Sequence, residues 1–124
     1  FAYIKRNRLI GKLGEQLVAC KMIRTGYEIL ETNYNVAKAG EIDIISRDKG
    51  MLVFTEVRTQ TSGHGRGEPR VQIDEKKSDR IINAVQHYMD VNELNCDFRF
   101  DIGEVILGKG KPEIRILEET LLVN

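Results

Sequence analysis

Two cysteines are all that these 124 residues contain, and Cys20 and Cys96 lie far apart with no metal-ligand spacing between them. The pair gives no sign of a thiolate metal centre and reads as reduced core cysteines of a cytoplasmic protein. No apolar run is long enough to span a bilayer. The basic opening from Phe1 to Arg8 lacks the apolar centre of a signal peptide. Charge of one sign is missing too: Lys and Arg together number 19, as do Asp and Glu. That balance argues against a nonspecific DNA coater, which needs a positive field over its whole surface, and leaves room for a local basic strip. There is no internal repeat, and the glycine-rich stretch from Gln60 to Glu68 lacks the Gly-Lys-Ser/Thr ending of a phosphate-binding P-loop. The length suits one domain, residues 1–124, with a proper core, and not two.

What is present centres on Gly40 to Thr59, GEIDIISRDKGMLVFTEVRT. Two runs rich in Ile, Val and Phe flank Arg47-Asp48-Lys49-Gly50, which predicts a hairpin with Lys49-Gly50 as its loop. A two-residue loop places Asp48 opposite Met51, Asp43 opposite Glu56 and Glu41 opposite Arg58. Strand alternation then puts those last four polar groups on one face, with Ile42, Ile44, Val53, Thr55 and Val57 on the other. A three-residue loop would break this pairing. Facing carboxylates repel, and a divalent cation reverses the sign of that interaction. Mg²⁺ or Mn²⁺ prefers carboxylate oxygens, keeps several waters and can activate one of them toward a phosphate. Arg58 brings a cation to the same face, suited to a phosphate or to charge in a transition state. A solvated polar face with a Glu41–Arg58 ion pair is the plainer reading of the same spacing.

The apolar periodicity from Ile10 to about Thr25 predicts a helix ended by Gly26, apolar nearly all round and mostly buried against a sheet. Glu15 falls on its flank beside Val18, Ala19 and Met22. It either pairs with Lys12 or the solvent edge, or points over the sheet as a third carboxylate toward Asp43 and Glu56. A strand is expected over Tyr27 to Asn35, and Gly40 allows close backbone approach at the start of the next. Asp74 to about Val91 reads as a second helix with Asp74 as N-cap and Ile81, Val85, Tyr88 and Met89 as its buried stripe. Lys76, Lys77 and Arg80 crowd its first turns, where the helix dipole disfavours cations. They either pair with Glu75 and Asp79 or await an anion such as a nucleic acid backbone. Arg66 in the glycine-rich loop and Gln72 just before the helix are further candidates for backbone contact, and His64 is read as exposed. Asp97 to Leu107 predicts a fourth strand, and Glu113 to Leu117, opened by Pro112, an edge strand. The order α-β-β-β-α-β-β is an α/β layer with a mixed sheet, not a Rossmann alternation.

Gly14-Glu15, Gly40-Glu41-Ile42-Asp43-Ile44-Ile45, Val53-Phe54-Thr55-Glu56-Val57-Arg58, Lys77 followed by Ile81 and Ala84, and Arg99-Phe100-Asp101 together resemble the YraN-like family of small bacterial proteins (uncharacterised protein family 0102). That family resembles the PD-(D/E)XK restriction-endonuclease-like superfamily. The motifs span about residues 9 to 107. The resemblance implies a three-layer fold, a central mixed β-sheet flanked by helices. It also implies a metal-dependent phosphodiesterase site similar to that of archaeal Holliday junction resolvases. Asp43 and Glu56 would be Mg²⁺ or Mn²⁺ ligands with the Val57 carbonyl, and Glu15 would act through water or a second ion. Arg58 stands where the motif carries lysine; always protonated, it keeps only the electrostatic part of that role. The implied catalytic set is Glu15, Asp43, Glu56 and Arg58, with Arg66, Gln72, Lys76, Lys77 and Arg80 on the nucleic acid. The implied activity is hydrolysis of branched or otherwise structured DNA in recombination, repair or DNA uptake, with proteins of those pathways as partners. A symmetric dimer would suit a two-fold junction. A binding module that keeps the fold without turnover is the alternative.

Overall fold

A tight hairpin organises the sheet. The computed structural model describes residues 2–61 and 75–118, with side chains from Arg6 onward. Its elements are α1 (Ala2–Arg24), β1 (Glu28–Val36), β2 (Gly40–Asp48), β3 (Met51–Thr61), α2 (Glu75–Val91), β4 (Phe98–Leu107) and β5 (Glu113–Leu117). Lys49 and Gly50 take φ values of 52° and 84°. Two positive φ angles in a two-residue loop match the twist of the flanking strands, and Asp48 pairs with Met51 as expected.

The sheet has five strands in the order β1-β2-β3-β4-β5. Its pairs are antiparallel except β3–β4, which is parallel and joined through α2. β1 and β5 form the edges, as Pro112 led one to expect for β5. The two helices cover opposite faces. Under α2, Ile42, Ile45, Leu52, Phe54, Phe100 and Ile102 pack against Ile81, Ala84, Val85 and Tyr88. Phe54 is fully buried and meets Tyr88 and Phe98 edge-on, at 5.8 and 5.4 Å between ring centres. Burial of a side chain this size stabilises by roughly 1.5–3 kcal/mol. Under α1, Val18 and Met22 pack on Ile44 and Val105. The result is an α/β fold of three layers, compatible with the restriction-endonuclease-like arrangement.

Both helices end in the same motif. Tyr27 N–H donates to Met22 O and Gly26 N–H to Ile23 O, with Gly26 at φ 100°. Leu94 N–H donates to Met89 O and Glu93 N–H to Asp90 O, with Glu93 at φ 51°. These crossed bonds satisfy carbonyls that the helix ends would leave open.

Three expectations need correction. α1 is buried on one side only, through Val18 and Met22, while Leu9 is 67% and Ile23 58% exposed. A helix over one sheet face can bury only one stripe. Cys20, two residues and therefore more than half a turn from Val18, falls on the solvent side, and Cys96 lies in the α2–β4 connection. Both cysteines are exposed rather than in the core. Ile42 and Ile44 do not share a face: Ile42 joins the cluster under α2 and Ile44 the one under α1. The alternation breaks at the residue between them, Asp43. Opposite it on β1, Asn33 adopts φ 53° between the paired positions Thr32–Ile44 and Tyr34–Ile42. The proposed N-cap Asp74 lies outside the described residues.

Gly40 seats α2. A Cβ there would overlap the backbone carbonyl oxygen of Arg80, so the helix backbone rests on the start of β2. Gly40→Ala is expected to lower stability by about 1–3 kcal/mol, the range for overpacking a close contact. Urea unfolding would measure it, and an unchanged midpoint would show that α2 can yield there.

Candidate functional site

The β2–β3 ladder runs from Asp48–Met51 to Ile44–Thr55 and ends there. One residue further, Asp43 replaces the backbone as partner: its Oδ2 accepts the Val57 N–H at 2.8 Å. Asp43 and Glu56 are therefore neighbours as expected, though not as a ladder pair. Burial pushes the Asp43 carboxyl up, to about 8, and the charge of Glu56 adds to it. Glu15 contributes in the same direction, the Val57 N–H opposes, and a hydrogen bond joins the Asp43 and Glu56 carboxyl groups. One acid of such a pair retains its proton because two adjacent carboxylates cannot both ionise cheaply.

Glu15 arrives from α1. Gly14 brings the helix close, since a Cβ there would overlap the Thr59 side chain on β3. Burial raises the Glu15 carboxyl above its ordinary range; Glu41 and Glu56 add to this, while a hydrogen bond with Asn33 and the charge of Lys12 oppose it. Of the two readings of Glu15, the sheetward one describes its place, with Lys12 still exerting a pull. Asn33 was missed by sequence reasoning. An Asn inside a strand pattern carries a weak signal of left-handed backbone, and that was the only one available.

α2 closes the site from the other side. A cavity of about 470 Å³ is lined by the acids Glu15, Glu41, Asp43 and Glu56, with Val57. Lys76, Lys77, Arg80 and Ile81 form its α2 wall. Lys77 Nζ lies 2.5 Å from Glu56 Oε2, and the Glu56 side chain is only 6% exposed. Arg58 is not among the lining residues. Its ladder neighbour on β4 is Glu104, and the Glu41–Arg58 pairing drawn from the hairpin does not form as a ladder pair, because the ladder has already ended.

Residues 14–105 match the uncharacterised protein family UPF0102. A UPF0102 protein of Acetivibrio thermocellus is 37% identical over 119 residues, covering 95% of this chain and 91% of that one. One from Clostridium perfringens is 38% identical over 122 residues, covering 96% and 98%. Another from Clostridium botulinum is 41% identical over 103 residues, covering 82% of each. The chain belongs to the UPF0102 family.

The matched UPF0102 segment contains every described residue of the cavity wall. Its donors are oxygens, the set that Mg²⁺ and Mn²⁺ prefer, and the repulsion from Glu56 that adds to burial in raising the Asp43 carboxyl is one that a cation relieves. In that sense the residues fit a hard divalent ion. Among the described residues, however, no three His, Cys, Asp or Glu side chains converge closely enough to hold a metal as they stand. Glu56 is turned to Lys77 instead. Lys76, Lys77 and Arg80, singled out for nucleic acid, are together on one wall; Arg66, Gln72 and His64 lie outside the described residues. No helix among the described residues is long and apolar enough to cross a membrane.

Proposed function

We propose that this UPF0102 chain is a Mg²⁺- or Mn²⁺-dependent nuclease that hydrolyses phosphodiester bonds in DNA, with branched or structured DNA as its substrate class. The observation that carries the reading is a single cavity with four carboxylates from α1, β2 and β3 on one wall and three cations from α2 on the other. An acidic wall suits a divalent cation and a basic wall suits a phosphate, so the two requirements of metal-assisted phosphodiester hydrolysis meet in one place. Asp43, Glu56 and the Val57 carbonyl would hold the ion, with Glu15 behind them. Once bound, the ion supplies charge neutralisation at the phosphate and a more acidic water. Lys76 and Arg80 would orient the backbone.

A non-catalytic nucleic-acid-binding module is the second reading, and the Lys77–Glu56 pair favours it, since a carboxylate already neutralised has less need of a metal. Cleavage of single-stranded, duplex and four-way-junction DNA with Mg²⁺ and with Mn²⁺ separates the two. Cleavage by the wild type that Glu56→Ala reduces by about a hundredfold or more is expected. If both proteins leave every substrate intact, or both cleave equally, the binding module is the better account.

A further inference from the structure

Two cations were candidates to work with Asp43 and Glu56, and the fold separates them. Arg58 follows Glu56 by two residues on β3, yet it stands outside the cavity wall and beside Glu104 in the β3–β4 ladder. Lys77 comes from another element and reaches the nearly buried Glu56 carboxylate directly, while its own side chain stays 53% exposed. That placement is built into the fold. Ser78 and Ile81 bury the adjoining face of α2, and the Arg80 carbonyl rests on Gly40, so the helix turn that carries Lys77 is fixed relative to β2.

We propose that Lys77, and not Arg58, is the catalytic cation of this site. Resting on the nuclease reading above, it assigns Lys77 two successive partners. Without a divalent ion, the Lys77 ammonium neutralises Glu56. An ion held by Glu56 would compete with the ammonium for that carboxylate, and Lys77 would then be available to the phosphate in the same cavity. A half-exposed lysine on a flexible four-carbon stem can make that exchange, and Arg58 is not among the residues that line the cavity. Lys77 thus does two things that the motif position of Arg58 suggested for Arg58: it supplies the compact positive charge beside the acids and meets the developing charge on phosphate.

The test compares Lys77→Met and Arg58→Met in the full chain, with Lys77→Gln as a second variant should the apolar change disturb folding. Mn²⁺ affinity without DNA is read by calorimetry, and single-turnover cleavage at saturating Mn²⁺ and DNA is read alongside it. Removal of a competing cation predicts Mn²⁺ binding about tenfold tighter in Lys77→Met, together with cleavage slower by about a hundredfold or more. Arg58→Met should leave the Mn²⁺ affinity within about twofold and cleavage within about tenfold of wild type. Cleavage lost in Arg58→Met and kept in Lys77→Met overturns the assignment, as does unchanged Mn²⁺ affinity in Lys77→Met. A wild type that cleaves no substrate removes the nuclease reading on its own. The Mn²⁺ arm then still decides for or against the exchange of Lys77 and the ion at Glu56.

Discussion

Asp43→Asn is expected to abolish divalent-cation binding and, in the absence of any cation, to make the protein more stable than wild type at alkaline pH. The Asp43 carboxyl is pushed up to about 8, first by burial and then by the charge of Glu56, from an ordinary value of 3.8. Between those two values the folded chain holds a proton that the unfolded chain has lost. Stability contributed by this group is therefore complete below the lower value and declines as pH rises toward the upper one. Every tenfold difference in proton affinity between the folded and unfolded chain corresponds to about 1.4 kcal/mol, so a rise from 3.8 to about 8 puts the full loss, reached above the upper value, on the order of 6 kcal/mol. Asparagine keeps an oxygen for the Val57 N–H and never ionises. Melting curves of the two proteins should converge below about pH 4, separate progressively as pH rises from there, and run parallel above about pH 8, with the variant higher. Parallel curves across the range would show that Asp43 ionises as freely in the fold as in the unfolded chain. In the wild type the same linkage predicts proton release when Mn²⁺ binds below about pH 8, since a ligand carboxyl must ionise first. Calorimetry in two buffers of different ionisation enthalpy would count those protons.

Residues differ in how openly the sequence declared these roles. The hairpin was readable because Lys49-Gly50 sits between two β-branched runs, and turn chemistry is local; the register from Asp48–Met51 to Ile44–Thr55 follows from it. The proximity of Asp43 and Glu56 followed in turn. What did not follow was the change of facing between Ile42 and Ile44, which lies across the strand pair from the left-handed backbone of Asn33. Strand alternation assumes a regular ladder, and the site lies where the ladder stops. Arg58 was misleading for the same reason. Its sequence distance from Glu56 places it on the same strand face, but the cavity lies toward β2 and α2, away from β4. Lys77 was legible as a helix cation and not as the partner of Glu56, because that contact depends on the seating of α2 against Gly40, a tertiary fact with only a glycine to announce it. Cys20 shows the converse error. Apolar content nearly all round α1 suggested that it would be mostly buried, yet its fully buried apolar side chains are Val18 and Met22, with Leu17 and Ala19 packed partly buried beside them.

Arg99→Met should cost about 3–5 kcal/mol of stability, the range for breaking a buried ion pair by removing one partner. Arg99 and Asp101 come from another of the motifs that carry the family resemblance, and they sit at the hairpin end of the sheet, beside Asp48. Arg99 Nε donates to Asp101 Oδ1 at 2.9 Å and Nη2 to Asp101 Oδ2 at 3.0 Å, and Asp101 is fully buried. Nη2 also reaches the Tyr27 hydroxyl at 3.0 Å, which ties β4 to the start of β1. Burial works against the guanidinium charge, but the hydrogen bonds and charge of Asp101 outweigh it and raise the Arg99 pKa. Without Arg99 the Asp101 carboxylate keeps its burial and loses its bidentate partner, so most of the cost is an uncompensated charge. Adding Asp101→Asn to Arg99→Met should accordingly recover a large part of the loss, a coupling that urea unfolding of both single variants and the double would expose. Equal and additive losses would mean that Arg99 acts by packing alone. Mn²⁺ affinity of the folded Arg99→Met protein should stay within about twofold of wild type, in contrast to Asp43→Asn. Two residues of one motif set would then divide cleanly, Arg99 holding the sheet together and Asp43 giving up stability at alkaline pH within a cleft lined by four acids and three cations.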